Sequence, residues 1–435
     1  MSKKLWGGRF KKETDKEFFV FQKSIQYDFK LAAYDILHSL VHVNALKHAG
    51  LLSAAEKNKL HSALMGIAAE IKNGKFKPDL HTEDIHTQIQ NKVQAKLGNL
   101  ALKLHTLRSR NDQVVFDEKH YCGVEALGLA CLLGSVIKAL ESLGHKYKDV
   151  YIAGYTHTQR AQKVKFCDYL GGLIKSFESD KKKLGAYAAG LIAYVGSGAF
   201  KGTSLAKDYQ SAITAEIKKL TPVTIKVADS PVANVSDRDF IVEFLSIISV
   251  IQMHLSRLAE DFILYSTKEF NYLDLPEEFC TGSSLMPHKK NPDFLELARG
   301  YTGKIYGNLV SILTTMKGLP LTYNRDMQLD KEPLFSSVEI LGDELRILAK
   351  FIAGVKLNRA AIDKALEDDS LYAVDLAEYL VREKKVAFSD AHDIVGKLIR
   401  YCEDNGCSIK DISITALKKL STHLDKKAIG RILGR

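Results

Sequence analysis

Asp239-Phe240-Ile241-Val242-Glu243-Phe244-Leu245-Ser246-Ile247-Ile248-Ser249-Val250-Ile251 opens a stretch, residues 239–267, that holds neither glycine nor proline. Apart from Glu243, its side chains are apolar on almost every side of a helix through Ile251. A helix that is hydrophobic all round belongs inside a large core, so the stretch predicts an all-α protein with a long central helix bundle whose interior takes in partner subunits. Proline placement agrees, because none of the eight prolines falls between residues 79 and 221 or after 333, and proline breaks helices. Ala33, Ile36, Leu37, Leu40 and Val43 follow helical spacing, with Gly50 as a stop. Ser53-Ala54-Ala55-Glu56 reads as a capping box before a helix with Leu60, Leu64, Ile67 and Ile71 on one face. Gly171-Gly172, inside another expected helix, leaves room for a close neighbour. Nothing comparable alternates with period two.

A chain of 435 residues exceeds one ordinary core, and boundaries near 105 and 355 give domains 1–105, 106–355 and 356–435. Hydrophobic content of 46% and charged content of 26% are those of a soluble globular chain. The apolar run Phe240–Ile251 is too short to span a bilayer, and the first residues hold no signal-peptide segment. Six cysteines without a CxxC pair point to a reducing, cytoplasmic compartment. A net charge of +10 comes from scattered lysines with no nucleic-acid motif, so it reads as a solvated basic surface.

The chemistry concentrates in Gly282-Ser283-Ser284-Leu285-Met286-Pro287-His288-Lys289-Lys290-Asn291-Pro292, the core of a signature loop at 280–292. Asn291 suits an N-cap and Pro292 the first helical position, so the loop ends on a helix N-terminus carrying two lysines. That is a place to hold an anion. Removing a proton beside a carboxylate requires stabilising a near-dianion, and fixed cations with backbone donors do this best. Lys289 and the 282–286 backbone are the candidates. An isolated Lys-Lys pair is ordinarily surface, and the Gly-Ser-Ser loop with its Asn-Pro cap is what separates this one. Arg110 and Asn111 offer a charge and an amide side by side, and arginine grips carboxylates bidentately. Glu296, on the helix after the loop, is placed to orient a histidine. His81 and His86 share no helix face well, Thr82 reads as an N-cap, and no metal or nucleotide cofactor is expected.

The same loop resembles the signature of the fumarase/aspartase superfamily, and its Leu-Met-Pro-x-Lys-Lys-Asn-Pro form is similar to argininosuccinate lyase and its lens relative delta-crystallin. Five further stretches match in order: Leu5–Phe10, Leu104–Gln113, Gly154–Gln162, Ser236–Asp239 and Tyr323–Gln328. The resemblance covers essentially the whole chain. It implies a three-domain fold, a homotetramer whose bundles pack together, and active sites shared between subunits. It also implies reversible β-elimination of argininosuccinate to arginine and fumarate, with a small-molecule substrate and no nucleic-acid or membrane partner. The resemblance also implies that His157 and Ser283 form the acid/base pair, taken as proton acceptor and proton donor respectively, with the reverse assignment and Ser284 chemically open. Ser24, Asn111, Thr156 and Asn291 match positions holding the fumarate-like half. Tyr323, Gln328 and Lys331 match those holding the amino-acid half, and Arg238 supports the site. The alternatives are adenylosuccinate lyase, aspartase or a non-catalytic crystallin-like relative; against the last, His157, Ser283, Lys289 and Glu296 are all present.

The chain departs from that pattern in places. Leu107 stands where glycine or a small residue is usual, and strains the backbone if the position needs positive φ. Lys163 replaces a common proline, Ala193-Tyr194-Val195 a Ser-Pro-Leu step, and His288 a frequent glutamine. Arg435 ends the C-terminal segment sooner than the resemblance leads one to expect.

Overall fold

The computed structural model describes residues 12–204, 212 and 221–434. The motif Leu5–Phe10 lies outside them. Five long helices dominate: Arg110–Lys146, Phe166–Gly190, Asp239–Ser266, Asp293–Met316 and Lys331–Gly354. The described residues pack as two compact units, one drawn from within 1–134, 178–254 and 300–346, the other from within 135–177, 255–299 and 347–435. Each long helix contributes residues to both.

In the first unit, Ser53 accepts from the Glu56 N–H while Glu56 accepts from the Ser53 N–H, so the capping box closes as read. Leu60, Leu64 and Ile67 are buried beneath it. The Ala32–His48 helix turns a different face inward from the one its apolar spacing suggested. Ala33 is exposed, whereas Asp35, His38, Ser39 and His42 are buried beside Ile36 and Val43. The reason is electrostatic: the buried Arg108 donates to Ser39 at 3.1 Å and lies 3.6 Å from Asp35, and His38 meets Asp117 at 3.1 Å. Thr82 is not the N-cap of the following helix. Asp84 is, with its carboxylate accepting from the Thr87 N–H at 2.7 Å. Aspartate two residues nearer the apolar run wins because its charge also meets the helix dipole.

Short strands occur where none was expected. Ile192–Val195 and Thr224–Val227 pair in parallel in the first unit; in the second, Tyr151–Thr156 and Gln159–Lys165 form a hairpin, and Leu273–Asp274 pairs with Lys356–Leu357. At Gly171 and Gly172 a side chain would meet open space, so no neighbour among the described residues uses the room they leave. The C-terminal residues build a core of their own around Leu376, Leu380, Leu398, Ile409 and Leu417.

The Arg110–Lys146 and Asp239–Ser266 helices are long and apolar enough to cross a membrane by length and composition alone, which the short run at 240–251 did not suggest. Leu133, Val136 and Leu140 on one, and Phe244, Leu245 and Ile248 on the other, are buried, as in core helices. Only 44% and 50% of their most apolar windows are covered within one chain, so a helix expected to be wholly interior is half covered.

Leu107 does adopt positive φ, +57°, with its side chain 44% exposed. A left-handed backbone costs a branched residue roughly 1–2 kcal/mol, and glycine loses about 0.5–1 kcal/mol in chain entropy. Leu107→Gly is therefore expected to raise stability by up to about 1.5 kcal/mol, read as a higher urea midpoint; an unchanged or lower midpoint would show that leucine packing compensates.

Candidate active site

In the second unit, Thr156 and His157 sit at the tip of the hairpin, both exposed. His157 and Thr158 form its two-residue turn with φ of +53° and +58°, the signs a type I′ turn demands. Asn-Gly is the usual filling, so two side-chain-bearing residues here store strain, which is common at functional positions. The hairpin is held from below. Arg160, one step from the turn, pairs with Asp368 at 3.0 Å, and the Tyr155 and Tyr272 hydroxyls meet at 3.1 Å. Gly154 marks an irregularity in the register, where a Cβ would come within 3.0 Å of the Gln162 carbonyl.

The signature loop closes on itself. Thr281 and Asn291 form an antiparallel bridge at its neck, and Thr281 donates from its N–H and its hydroxyl to Asp293. Lys290 donates to Asp274 at 2.9 Å and to the Leu275 carbonyl, which makes it a tether. Lys289 stays exposed, with no ammonium partner among the described residues. Ser283 Oγ accepts from the Leu285 N–H at 3.3 Å and the Met286 N–H at 3.0 Å. Two donors aimed at one hydroxyl favour its ionised form. Asn291 is not the N-cap: the helix starts at Asp293, and the Asn291 amide turns back to Thr281 and Gly282. The neck bridge draws Asn291 into extended backbone and leaves the Pro292 carbonyl to accept the first helical bond, from Glu296. Among the described residues no hydrogen bond joins Glu296 to His157, so the expected orienting contact is not made within one chain.

The first unit gathers the remaining candidates. Lys331 and Arg238 are buried between Asp330 and Glu118: Lys331 lies 2.8 Å and 2.7 Å from the two carboxylates, and Arg238 contacts Asp330 directly and Glu118 at 3.4 Å. Burial works against both cations, but the carboxylates outweigh it and hold their pKa values above the ordinary range. Burial likewise opposes ionised Asp330, and the two cations reverse that and hold it low; Glu118, buried beside Asp330, is pushed up. Tyr323 lies in the field of the same charges, its hydroxyl pKa raised by burial. Gln328 donates to the Gln22 carbonyl at 2.9 Å and to the Tyr27 hydroxyl at 3.2 Å. Ser24 is buried and donates to Asp28, whose pKa burial pushes up to about 6. Arg110 pairs with Asp84 at 2.9 Å and donates to Gln113 at 2.6 Å and Thr87 at 3.2 Å. Asn111 beside it is half-exposed.

A family profile described as lyase matches residues 8–307, and one described as argininosuccinate lyase C-terminal matches residues 370–434. The argininosuccinate lyase of Thermoanaerobacter sp. (strain X514) is 41% identical over 424 residues, 97% of this chain and 94% of that one. The chain belongs to the argininosuccinate lyase family.

Solved structures agree on the fold of this argininosuccinate lyase family member. A fumarate lyase:delta crystallin from Brucella melitensis superposes with a TM-score of 0.77 at 20% identity, over 93% of this chain and 90% of that one. A class II fumarase from Schistosoma mansoni gives 0.75 at 19% identity, over 92% and 89%. The sequence reading missed Glu118 and Asp330, which hold Lys331 and Arg238. It also missed Asp35 and Asp117, which receive His86 at 3.2 Å and 3.5 Å in a buried cluster with the spacing to hold a metal ion. Arg108 and Gln113 share Asp35, and the Arg108 cation beside that carboxylate opposes a metal there. Asp residues distant in sequence carry no local signal; only the Glu83-Asp84-Ile85-His86 string pointed near them.

Proposed function

We propose that this chain catalyses the reversible β-elimination of argininosuccinate to L-arginine and fumarate, the last step of arginine biosynthesis, by acid/base catalysis in the cytoplasm. The observation that carries the reading is the match over 97% of the chain, at 41% identity, to a protein named argininosuccinate lyase. Lys289 and the loop backbone hold the succinate carboxylate as charge flows onto it from the carbanion. Supporting Ser283 as the base is the pair of N–H donors on its Oγ, which favours the oxyanion; His157 then protonates the departing guanidino nitrogen. This reverses the assignment taken from sequence. Asn111, Thr156, Asn291 and Ser24 serve the fumarate half; Tyr323, Gln328 and Lys331 serve the amino-acid half, with Arg238 behind them.

The site is shared within a homotetramer. In support, Val124, Leu127, Leu297, Val310 and Leu313 are exposed along the long helices, and the apolar windows of two of those helices are half covered. Glu296 of one subunit then meets His157 of another. The three domains 1–105, 106–355 and 356–435 follow breaks at His105 and Gly354.

Purified protein incubated separately with argininosuccinate, adenylosuccinate and aspartate is expected to release fumarate, followed by its ultraviolet absorbance, from argininosuccinate alone. No fumarate from argininosuccinate sinks the reading.

A further inference from the structure

The Phe388–Asn405 helix ends in a Schellman cap: Gly406 takes a left-handed φ of +59°, the Cys407 N–H donates to the Cys402 carbonyl at 3.0 Å, and the Gly406 N–H donates to the Glu403 carbonyl at 3.3 Å. The residues at the two ends of the longer bond usually touch through apolar side chains. Here both are cysteines. Cys402 is buried among Leu398, Ile409 and Leu417, and Cys407, half-buried, packs against that core from the solvent side. The 3.0 Å bond keeps the two backbones together, as a disulfide requires, since it spans Cα atoms roughly 4.4–6.8 Å apart.

We propose that Cys402 and Cys407 are a modification site: a dithiol that small disulfides such as oxidised glutathione convert to an intrachain disulfide stapling the cap. The accessible Cys407 thiolate attacks the oxidant, forming a Cys407–glutathione bond and releasing one glutathione thiolate. Cys402 loses its proton to solvent, attacks Cys407 Sγ and releases the second. Two protein thiols are oxidised and one glutathione disulfide is reduced to two thiols. Burial and the adjacent Cys407 sulfur hold the Cys402 pKa up, at about 11, so the second step is the slow one.

The test uses the full-length protein, oxidised glutathione, alkylation after denaturation, and peptide mass spectrometry. Near-complete loss of alkylation at both Cys402 and Cys407 is expected, with one peptide lighter by two hydrogens and restored by dithiothreitol. Cys402→Ser should stop at glutathione on Cys407. The proposal is overturned if wild-type protein keeps both thiols alkylatable, or ends with glutathione on Cys407 and free Cys402. Cys407→Ala, at a half-buried cap position, serves as the folded control; protection of Cys402 in it would equally overturn the pairing.

Discussion

Replacing His157 by asparagine is expected to lower kcat for argininosuccinate cleavage by about 100- to 10,000-fold, the range that a positioned acid or base supplies. The thermal midpoint should stay where it is. The side chain is exposed at a hairpin tip, so nothing in the core is lost. Its φ of +53° is better tolerated by asparagine than by alanine, so the substitution isolates proton transfer from turn strain. Ser283→Ala is a less clean probe, because the Ser283 hydroxyl also receives the Leu285 and Met286 N–H groups that shape the loop. A single-turnover measurement of fumarate release, with KM determined alongside, reads the effect. Retention of more than roughly a tenth of the wild-type kcat would remove His157 from proton transfer.

What sequence conveys about this chain depends on how far apart the interacting residues are. The Ser53–Glu56 capping box was legible because both halves of the interaction lie within one turn. The positive φ at Leu107 was legible only through resemblance, as a leucine in a place for glycine. The hairpin was not: Gln159-Arg160-Ala161-Gln162-Lys163-Val164-Lys165 has no apolar alternation, and its turn is His-Thr in place of Asn-Gly. Asn291 and Thr82 were misread as caps because a good cap residue says nothing about competing partners. A bridge to Thr281 claimed the first, and Asp84 displaced the second. The buried face of the Ala32–His48 helix went unread for the same reason on a larger scale, since the Arg108 and Asp117 charges that turn it inward lie far along the chain.

Glu118, Arg238 and Asp330 show that limit most sharply, and they carry the largest expected effect on stability. Arg238 is 1% exposed, between Glu118 and Asp330, with Lys331 as the second cation. Two positive and two negative charges therefore balance in the interior. Arg238→Met removes one cation from a network that cannot rehydrate, and breaking a buried pair in this way costs about 3–5 kcal/mol. The urea midpoint should fall accordingly at neutral pH. The deficit should also depend on pH. Arg238 helps hold the Asp330 pKa below its unfolded value, so the stability this contributes is present above the unfolded carboxylate pKa and is lost as pH falls through the folded one. Without Arg238 that pKa rises, and protonation relieves the unpaired charge sooner. The gap between variant and wild type should therefore narrow as pH drops from neutrality toward about 4. Adding Glu118→Gln to Arg238→Met restores the balance of charge and should recover part of the loss. A deficit constant across that pH range, or a double variant weaker than the sum of its parts, would mean that Arg238 stabilises the fold through its packing and not its charge.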